Sequence, residues 1–216
     1  CARTPVGTMP WNWPHVCTKR SVCHWTWTTP VSELREEAIS VMASADCLFD
    51  QAAVEAALER MALAINHDMA GSNAVVICVM NGGLVVSGLL LPRLDFLLHL
   101  DYLHASRYRE RTSGDQLHWK VDPAQSLAGK DLLLIDDILD EGHTLEAIIE
   151  SCRAQTPASI RTAVLVQKEH DRGVRPPVDY VGLKAPDRYV FGYGMDYKGY
   201  WRNAPGIYAV TESQEA

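Results

Sequence analysis

Two short runs made wholly of apolar residues, Val75–Met80 and Leu132–Ile135, limit this chain most; each is followed by glycine and then by a helical pattern. A strand that is apolar on both sides must be covered on both sides, which is the situation of a strand inside a parallel sheet. After the first run come Asn81-Gly82-Gly83 and a helix-like stretch, Leu84–Leu91, ended by Pro92. After the second come Asp136-Asp137 and a helix expected from about Thr144 to Ala154. Leu97–Ser106, Leu117–Val121 and Ile160–Val166 read as further strands. Strand, loop and helix alternate, so the expected class is α/β with a parallel sheet core flanked by helices. Upstream, Ser32 with Leu34, Ala38, Ile39 and Val41 predicts a short amphipathic helix. Val54, Leu58, Met61 and Ile65 predict a second helix, capped by Asp50 and stopped at Gly71. From Asp171 onward Gly, Pro and aromatic residues multiply, and a smaller lobe is expected, mainly at about 171–210.

The chain has 216 residues, enough for one globular domain with a small lobe. Its net charge of -7 argues against general nucleic-acid binding. No run of 18 apolar residues is present, so no membrane partner is expected. Cys47, Cys78 and Cys152 are widely spaced among apolar neighbours, which suits reduced thiols in a cytoplasmic protein. Residues 1–31 are different: Trp11, Trp13, Trp25 and Trp27 crowd there without an acidic residue or an apolar period. His15, Cys17, Cys23 and His24 match no usual zinc spacing. That segment is expected to be a disordered or artefactual extension, with the folded domain at 32–216.

The most informative stretch is Leu132-Leu-Leu-Ile-Asp136-Asp137-Ile-Leu-Asp140-Glu141-Gly142-His143-Thr144. An apolar strand runs into two acids, and a helix begins soon after. Ligands of open α/β sheets sit at the carboxyl ends of strands. A helix N-terminus offers free amides to a phosphate. Gly142 permits close approach of the backbone, and Thr144 adds a hydroxyl donor. Asp136 and Asp137 suit a ribose diol or a metal-bound water. One place thus offers a phosphate cradle beside acidic sugar or metal contacts.

This stretch resembles the phosphoribosyl-pyrophosphate motif of the type I phosphoribosyltransferases, with Glu141 where the family usually has Thr or Ser. Val79-Met80-Asn81-Gly82-Gly83 resembles the pyrophosphate loop of the hypoxanthine-guanine branch, with Asn81 in place of a frequent Lys and a preceding peptide that is often cis. Lys168, closing Val164-Leu165-Val166-Gln167-Lys168, matches the lysine that donates to the purine O6. An ammonium only donates, which favours a 6-oxo over a 6-amino base. The stretch from Asp187 to Asn203 resembles that branch's purine-binding lobe.

The resemblance implies the type I phosphoribosyltransferase fold with a small C-terminal hood, and a set of roles. Asp136 and Asp137 bind the ribose diol, directly or through metal-bound water. Residues Asp140, Glu141, Gly142, His143 and Thr144 hold the 5′-phosphate, and Asp140 is the general base. Asn81, Gly82, Gly83 and Arg202 bind pyrophosphate. Lys168, Tyr189 and the Val190 backbone bind the purine. Asp196, with Asp136 and Asp137, contacts Mg²⁺. Ser106, Arg107 and Tyr108 fall in a loop, 106–116, resembling the one that closes over the site. The implied partners are phosphoribosyl pyrophosphate and a 6-oxopurine, in a homodimer or homotetramer. A xanthine-preferring enzyme is an alternative, and a nucleotide- or RNA-binding regulator of the same fold a remoter one.

Overall fold

A computed structural model describes residues 33–107 and 117–211. Its order of elements is α1 (Glu33–Ser44), β1 (Asp46–Phe49), α2 (Gln51–Met69), β2 (Ala74–Val79), α3 (Gly83–Leu90), β3 (Leu98–Arg107) and β4 (Leu117–Val121). There follow β5 (Asp131–Leu139), α4 (His143–Ala154), β6 (Ser159–Glu169), β7 (Tyr180–Pro186), β8 (Val190–Phe191) and β9 (Ile207–Ala209). The large sheet has six strands in the order β4-β3-β2-β5-β6-β7. Strands β3, β2, β5, β6 and β7 run parallel, and β4 folds back antiparallel on β3.

The apolar runs sit where their composition requires. All six residues of β2 are buried. Alternate side chains serve opposite faces of the sheet. Val76, Leu133 and Leu165 meet Val54, Leu58, Met61 and Ile65 of α2. Val75, Ile77, Leu132 and Leu134 meet Leu145, Ile148, Ile149 and Cys152 of α4. Leu58 and Ile65 are fully buried, and each such side chain contributes about 1.5–3 kcal/mol relative to exposure. Asp50 caps α2 by accepting the Ala53 amide at 2.9 Å, and Gly71 takes φ +75° just past its end.

A second sheet, β1-β9-β8, is antiparallel. Ala38 and Val41 of α1 pack under it against Phe191, Tyr197 and Val210. Trp201 Nε1 donates to the Ala38 carbonyl at 2.6 Å, and Arg188 ties β1 down through Asp46 Oδ2 at 2.6 Å.

Several boundaries differ from the sequence reading. The lobe was expected at about 171–210, yet β7 is an edge strand of the large sheet and β1 joins the small one. Strand β1 carries no alternation, and a four-residue segment gives no period to read. Asp136 and Asp137 lie inside β5, not beyond its end. Ser106, expected both to end a strand and to open a loop, belongs with Arg107 to β3, the two paired with His118 and Leu117. Tyr108 and the rest of the expected loop, through residue 116, lie outside the described residues. Cys78 and Cys152 are buried as expected, but Cys47 is exposed. No described helix is long and apolar enough to cross a membrane.

Candidate active site

The chain leaves β2 toward β3 on one side and leaves β5, through α4, toward β6 on the other. The carboxyl ends of β2 and β5 therefore flank a point where the winding reverses, the usual crevice for ligands in such sheets. Pairing of β5 with β2 stops at Ile135, while pairing with β6 continues to Leu139. Asp136–Leu139 thus overhang β2, and the Met80–Gly83 turn folds across them.

That turn is shaped by two glycines. A β-carbon on Gly83 would stand 2.5 Å from the Ile135 carbonyl oxygen, and one on Gly82 would stand 1.9 Å from Asp137 Oδ2. Gly194, with φ +108°, closes from above, since its β-carbon would meet the Gly82 carbonyl at 2.1 Å. The Met80–Asn81 peptide is cis, and Asn81 is exposed. Burial, together with the charge of Asp137, pushes the Asp136 carboxyl well above the ordinary carboxylate range. Burial raises Asp137 as well, against the opposing pull of the Asp136 hydrogen bond and the Arg202 charge. Two acids held this way in a tight fold favour a partner that offers positive charge or hydroxyl donors.

Beyond β5 the chain turns at Gly142, φ +81°, into α4, whose N-terminus has no side-chain cap. The first helical bond to the cap is Glu146 N–H to the Gly142 carbonyl, at 2.9 Å. The amides ahead of it, at His143, Thr144 and Leu145, belong to the first turn, where no intrahelical acceptor exists. The turn is clamped from outside: Val174 N–H donates to the Glu141 carbonyl at 2.8 Å. A β-carbon on Gly142 would meet the Val174 carbonyl oxygen at 2.2 Å. Glu141 itself is exposed.

Asp140 stands at the head of this turn between two donors. Lys168 Nζ lies 2.7 Å from its Oδ2, and His170 Nε2 lies 2.7 Å from its Oδ1. Lys168 is 8% exposed, so it is not an ordinary surface lysine at a strand end. Burial alone would raise the Asp140 carboxyl, but the hydrogen bonds from Lys168 and His170 and the charge of Lys168 outweigh it and hold the carboxyl below its ordinary value.

The stretch from Asp187 to Asn203 faces the same region. Gly194 reaches Gly82 as described, and Arg202 grips the Gly194 carbonyl through Nη1 at 2.5 Å. Arg202 also pairs with Asp196, Nη2 to Oδ1, at 2.6 Å, while Gly199 N–H donates to Asp196 Oδ2 at 2.7 Å. Tyr189 is exposed and edge-on to Tyr197, with centroids 5.5 Å apart. Val190 sits on edge strand β8, opposite Ala209. Val210 N–H bonds the Tyr189 carbonyl at 2.9 Å, so Val190 and Ala209 form a non-hydrogen-bonded pair and the amide groups of Val190 point away from β9.

The fold brings together Asp137, Gly82, Gly83 and Arg202 on one side, and Asp140 with Lys168 on the other. Among the described residues, the cluster with metal-ligand spacing is Asp140, His170 and Asp187, their ligand atoms within 4.8 Å of one another, and not the expected Asp136, Asp137 and Asp196. Its acids already hold Lys168 and, at 2.6 Å, Arg172. His170, Arg175, Gly173 and Gly194 escaped the sequence reading. Gly173 takes φ +75°, and a β-carbon there would meet the Glu141 carbonyl oxygen at 2.1 Å. The proximity of His170 to Lys168, two positions on, was the one available signal.

The sequence pattern of the phosphoribosyl transferase domain matches residues 44–198. A hypoxanthine-guanine-xanthine phosphoribosyltransferase of Tritrichomonas foetus is 30% identical over 167 residues, covering 77% of this chain and 91% of its own length. The human hypoxanthine-guanine phosphoribosyltransferase is 29% identical over 168 residues, covering 73% of this chain and 77% of its own. Among solved structures, a hypoxanthine phosphoribosyltransferase of Staphylococcus aureus superposes with a TM-score of 0.74 at 27% identity, covering 79% of this chain and 94% of that one. The Trypanosoma cruzi hypoxanthine phosphoribosyltransferase, in a ternary substrates complex, also gives 0.74, at 26% identity and with 80% and 98% covered. With the switch-point crevice, the glycine turn and the acidic strand all inside the matched region, the chain belongs to the phosphoribosyl transferase domain family and is an enzyme related to the hypoxanthine-guanine phosphoribosyltransferases.

Proposed function

We propose that this enzyme transfers 5-phosphoribosyl from phosphoribosyl pyrophosphate to hypoxanthine or guanine, giving IMP or GMP and pyrophosphate. The observation that carries the base assignment is Lys168, buried at the end of β6 with its ammonium on Asp140. An ammonium has donors and no acceptor, so beside the base-accepting carboxylate it selects a carbonyl at purine C6 and disfavours an amine there.

The uncapped start of α4 and the Gly142 turn would hold the 5′-phosphate on backbone amides, aided by Thr144. Asp136 and Asp137 would take the ribose hydroxyls, and Gly82, Gly83 and Arg202 the pyrophosphate. Asn81 brings no charge, so among the described residues Arg202 would supply the cation of that subsite. Tyr189 offers an exposed ring for stacking, and the outward amide groups of Val190 offer an edge for the base. The bond from the anomeric carbon to the pyrophosphate oxygen breaks as purine N9 bonds to that carbon. The N7 proton passes to Asp140, and positioning of charge governs the rate. Carboxylate oxygens are hard ligands that suit Mg²⁺; Asp136 and Asp137 would serve it beside the ribose hydroxyls, and Asp196, paired with Arg202 and outside any cluster with them among the described residues, would serve it separately. A cation beside Asp136 and Asp137 would offset the burial that disfavours their ionised forms. Bound there, Mg²⁺ would neutralise the diphosphate.

Pyrophosphate release measured with a panel of purines and pyrimidines tests the reading. Hypoxanthine or guanine as the best acceptor is expected; a preference for xanthine, adenine or orotate would overturn the base assignment. Asp140→Asn should cut turnover by about 100-fold or more, the usual scale of general-base catalysis, with donor binding retained. Lys168→Ala should weaken purine binding far more than donor binding.

A further inference from the structure

We infer that His170 is a positioning residue for the transfer: it fixes Oδ1 of Asp140 so that Oδ2, the oxygen Lys168 occupies, is the one presented to the incoming base. This rests on the reading of Asp140 as the proton acceptor.

The argument begins with the ring's second nitrogen. His170 Nδ1 lies 3.1 Å from the Arg172 amide and 2.9 Å from Arg175 Nη2. Both neighbours can only donate, so Nδ1 must carry a lone pair. The ring proton then sits on Nε2 and is donated to Asp140 Oδ1 at 2.7 Å. A protonated ring would place an N–H against two donors, so this environment selects the neutral tautomer. Neutrality matters. A neutral donor orients the carboxylate while removing less of its basicity than a second cation would.

The two grips on Asp140 differ in permanence. The His170 side chain is 6% exposed. Its ring is held by Arg175, which also bonds the His170 carbonyl and, at 2.8 Å, the Asp140 carbonyl. One guanidinium thus ties the backbones of residues 140 and 170 together around the contact. Lys168 reaches Oδ2 from a four-carbon stem with free torsions. The Asp140 side chain is 40% exposed, which leaves an open side for a ligand. A base whose C6 oxygen draws Lys168 away vacates Oδ2, and the His170 bond keeps that oxygen aimed while the N7 proton arrives. Asp187, Arg172, Arg175 and Lys168 are the other charged groups around the pair, and none of them replaces the Nε2–H donor on Oδ1.

The test combines kinetics with a readout independent of turnover. His170→Ala should lower kcat by about 10- to 100-fold, part of the general-base contribution, with the donor KM changing less than about twofold. Loss of a bond to the ionised carboxylate should move the acidic limb of the pH–kcat profile upward. His170→Gln, whose amide can donate from a similar place, should recover most of the rate and return the limb. An unmoved limb in His170→Ala, or no recovery in a folded His170→Gln, would overturn the inference. In the wild-type protein, ¹⁵N NMR of the imidazole should report the neutral tautomer protonated at Nε2; protonation at Nδ1 would overturn it. If the wild type transfers to no base, the functional reading fails, and with it the catalytic role of His170, whereas the tautomer measurement judges the geometry alone.

Discussion

Gly82→Ala isolates a single contact at the centre of the site. Gly82 has φ -61° and ψ -48°, which alanine adopts freely, so the backbone itself gains about 0.4–1 kcal/mol through the unfolded chain. The added carbon would stand 1.9 Å from Oδ2, 2.2 Å from Cγ and 2.5 Å from Oδ1 of Asp137, all atoms of one carboxyl group. Asp137 must turn aside, giving up the bond its Oδ1 accepts from Ile138 N–H at 3.0 Å, a loss of about 0.5–1.5 kcal/mol. The two effects nearly cancel, so stability should change by about 1 kcal/mol or less, a shift of about 2–4 °C at most for a chain of this size. Donor binding should suffer more. Displacing a carboxylate from a charge-assisted contact costs about 1.5–3 kcal/mol, or about 10- to 150-fold in Kd. Calorimetric titration with phosphoribosyl pyrophosphate and Mg²⁺, beside thermal unfolding, measures both. In the Asp137→Ala background the same substitution should weaken binding far less, because the displaced group is already gone. Additive losses in the double variant would refute the claim that Gly82 exists to clear Asp137.

Two further outcomes follow from the same region. Asp136 and Asp137 have raised pKa values in the unliganded fold, so their ionisation costs stability: the contribution of these two acids is fully present below the ordinary carboxylate range and is lost as pH rises through the raised values. Binding of the donor with Mg²⁺ should therefore release protons and tighten with pH across that window, which calorimetry in buffers of different ionisation enthalpy detects; zero release would contradict it. Gly142→Ala combines a left-handed backbone, φ +81°, with a β-carbon 2.2 Å from the Val174 carbonyl oxygen, and should cost about 2–5 kcal/mol in urea unfolding.

Much of this was readable in the chain because its physical causes are local. The apolar runs of β2 and β5 required cover on both faces, and the spacing of Val54, Leu58, Met61 and Ile65 required a helix against them. The acids and glycines at 136–144 are contiguous in sequence, so their association needed no knowledge of packing. What escaped depended on contacts between distant segments. Gly194 meets Gly82, Gly173 meets Glu141, and His170 meets Asp140, and no periodicity encodes such meetings. Strand β1 was hidden for a similar reason, since only its partner β9, at the far end of the chain, makes it a strand. The acids were placed beyond β5 because aspartate is a poor strand former; pairing with β6 as far as Leu139 overrides that preference.

That partnership between β1 and β9 bears on how the molecule comes into being. Every strand of the large sheet lies between Ala74 and Pro186, whereas among the described strands β1 pairs with β9, at Ile207–Ala209. Closing a span from Asp46 to Ala209 is an entropically slow, late event. On chain-entropy grounds the large sheet, which carries the acidic strand and pairs over shorter spans, is expected to form before the small one.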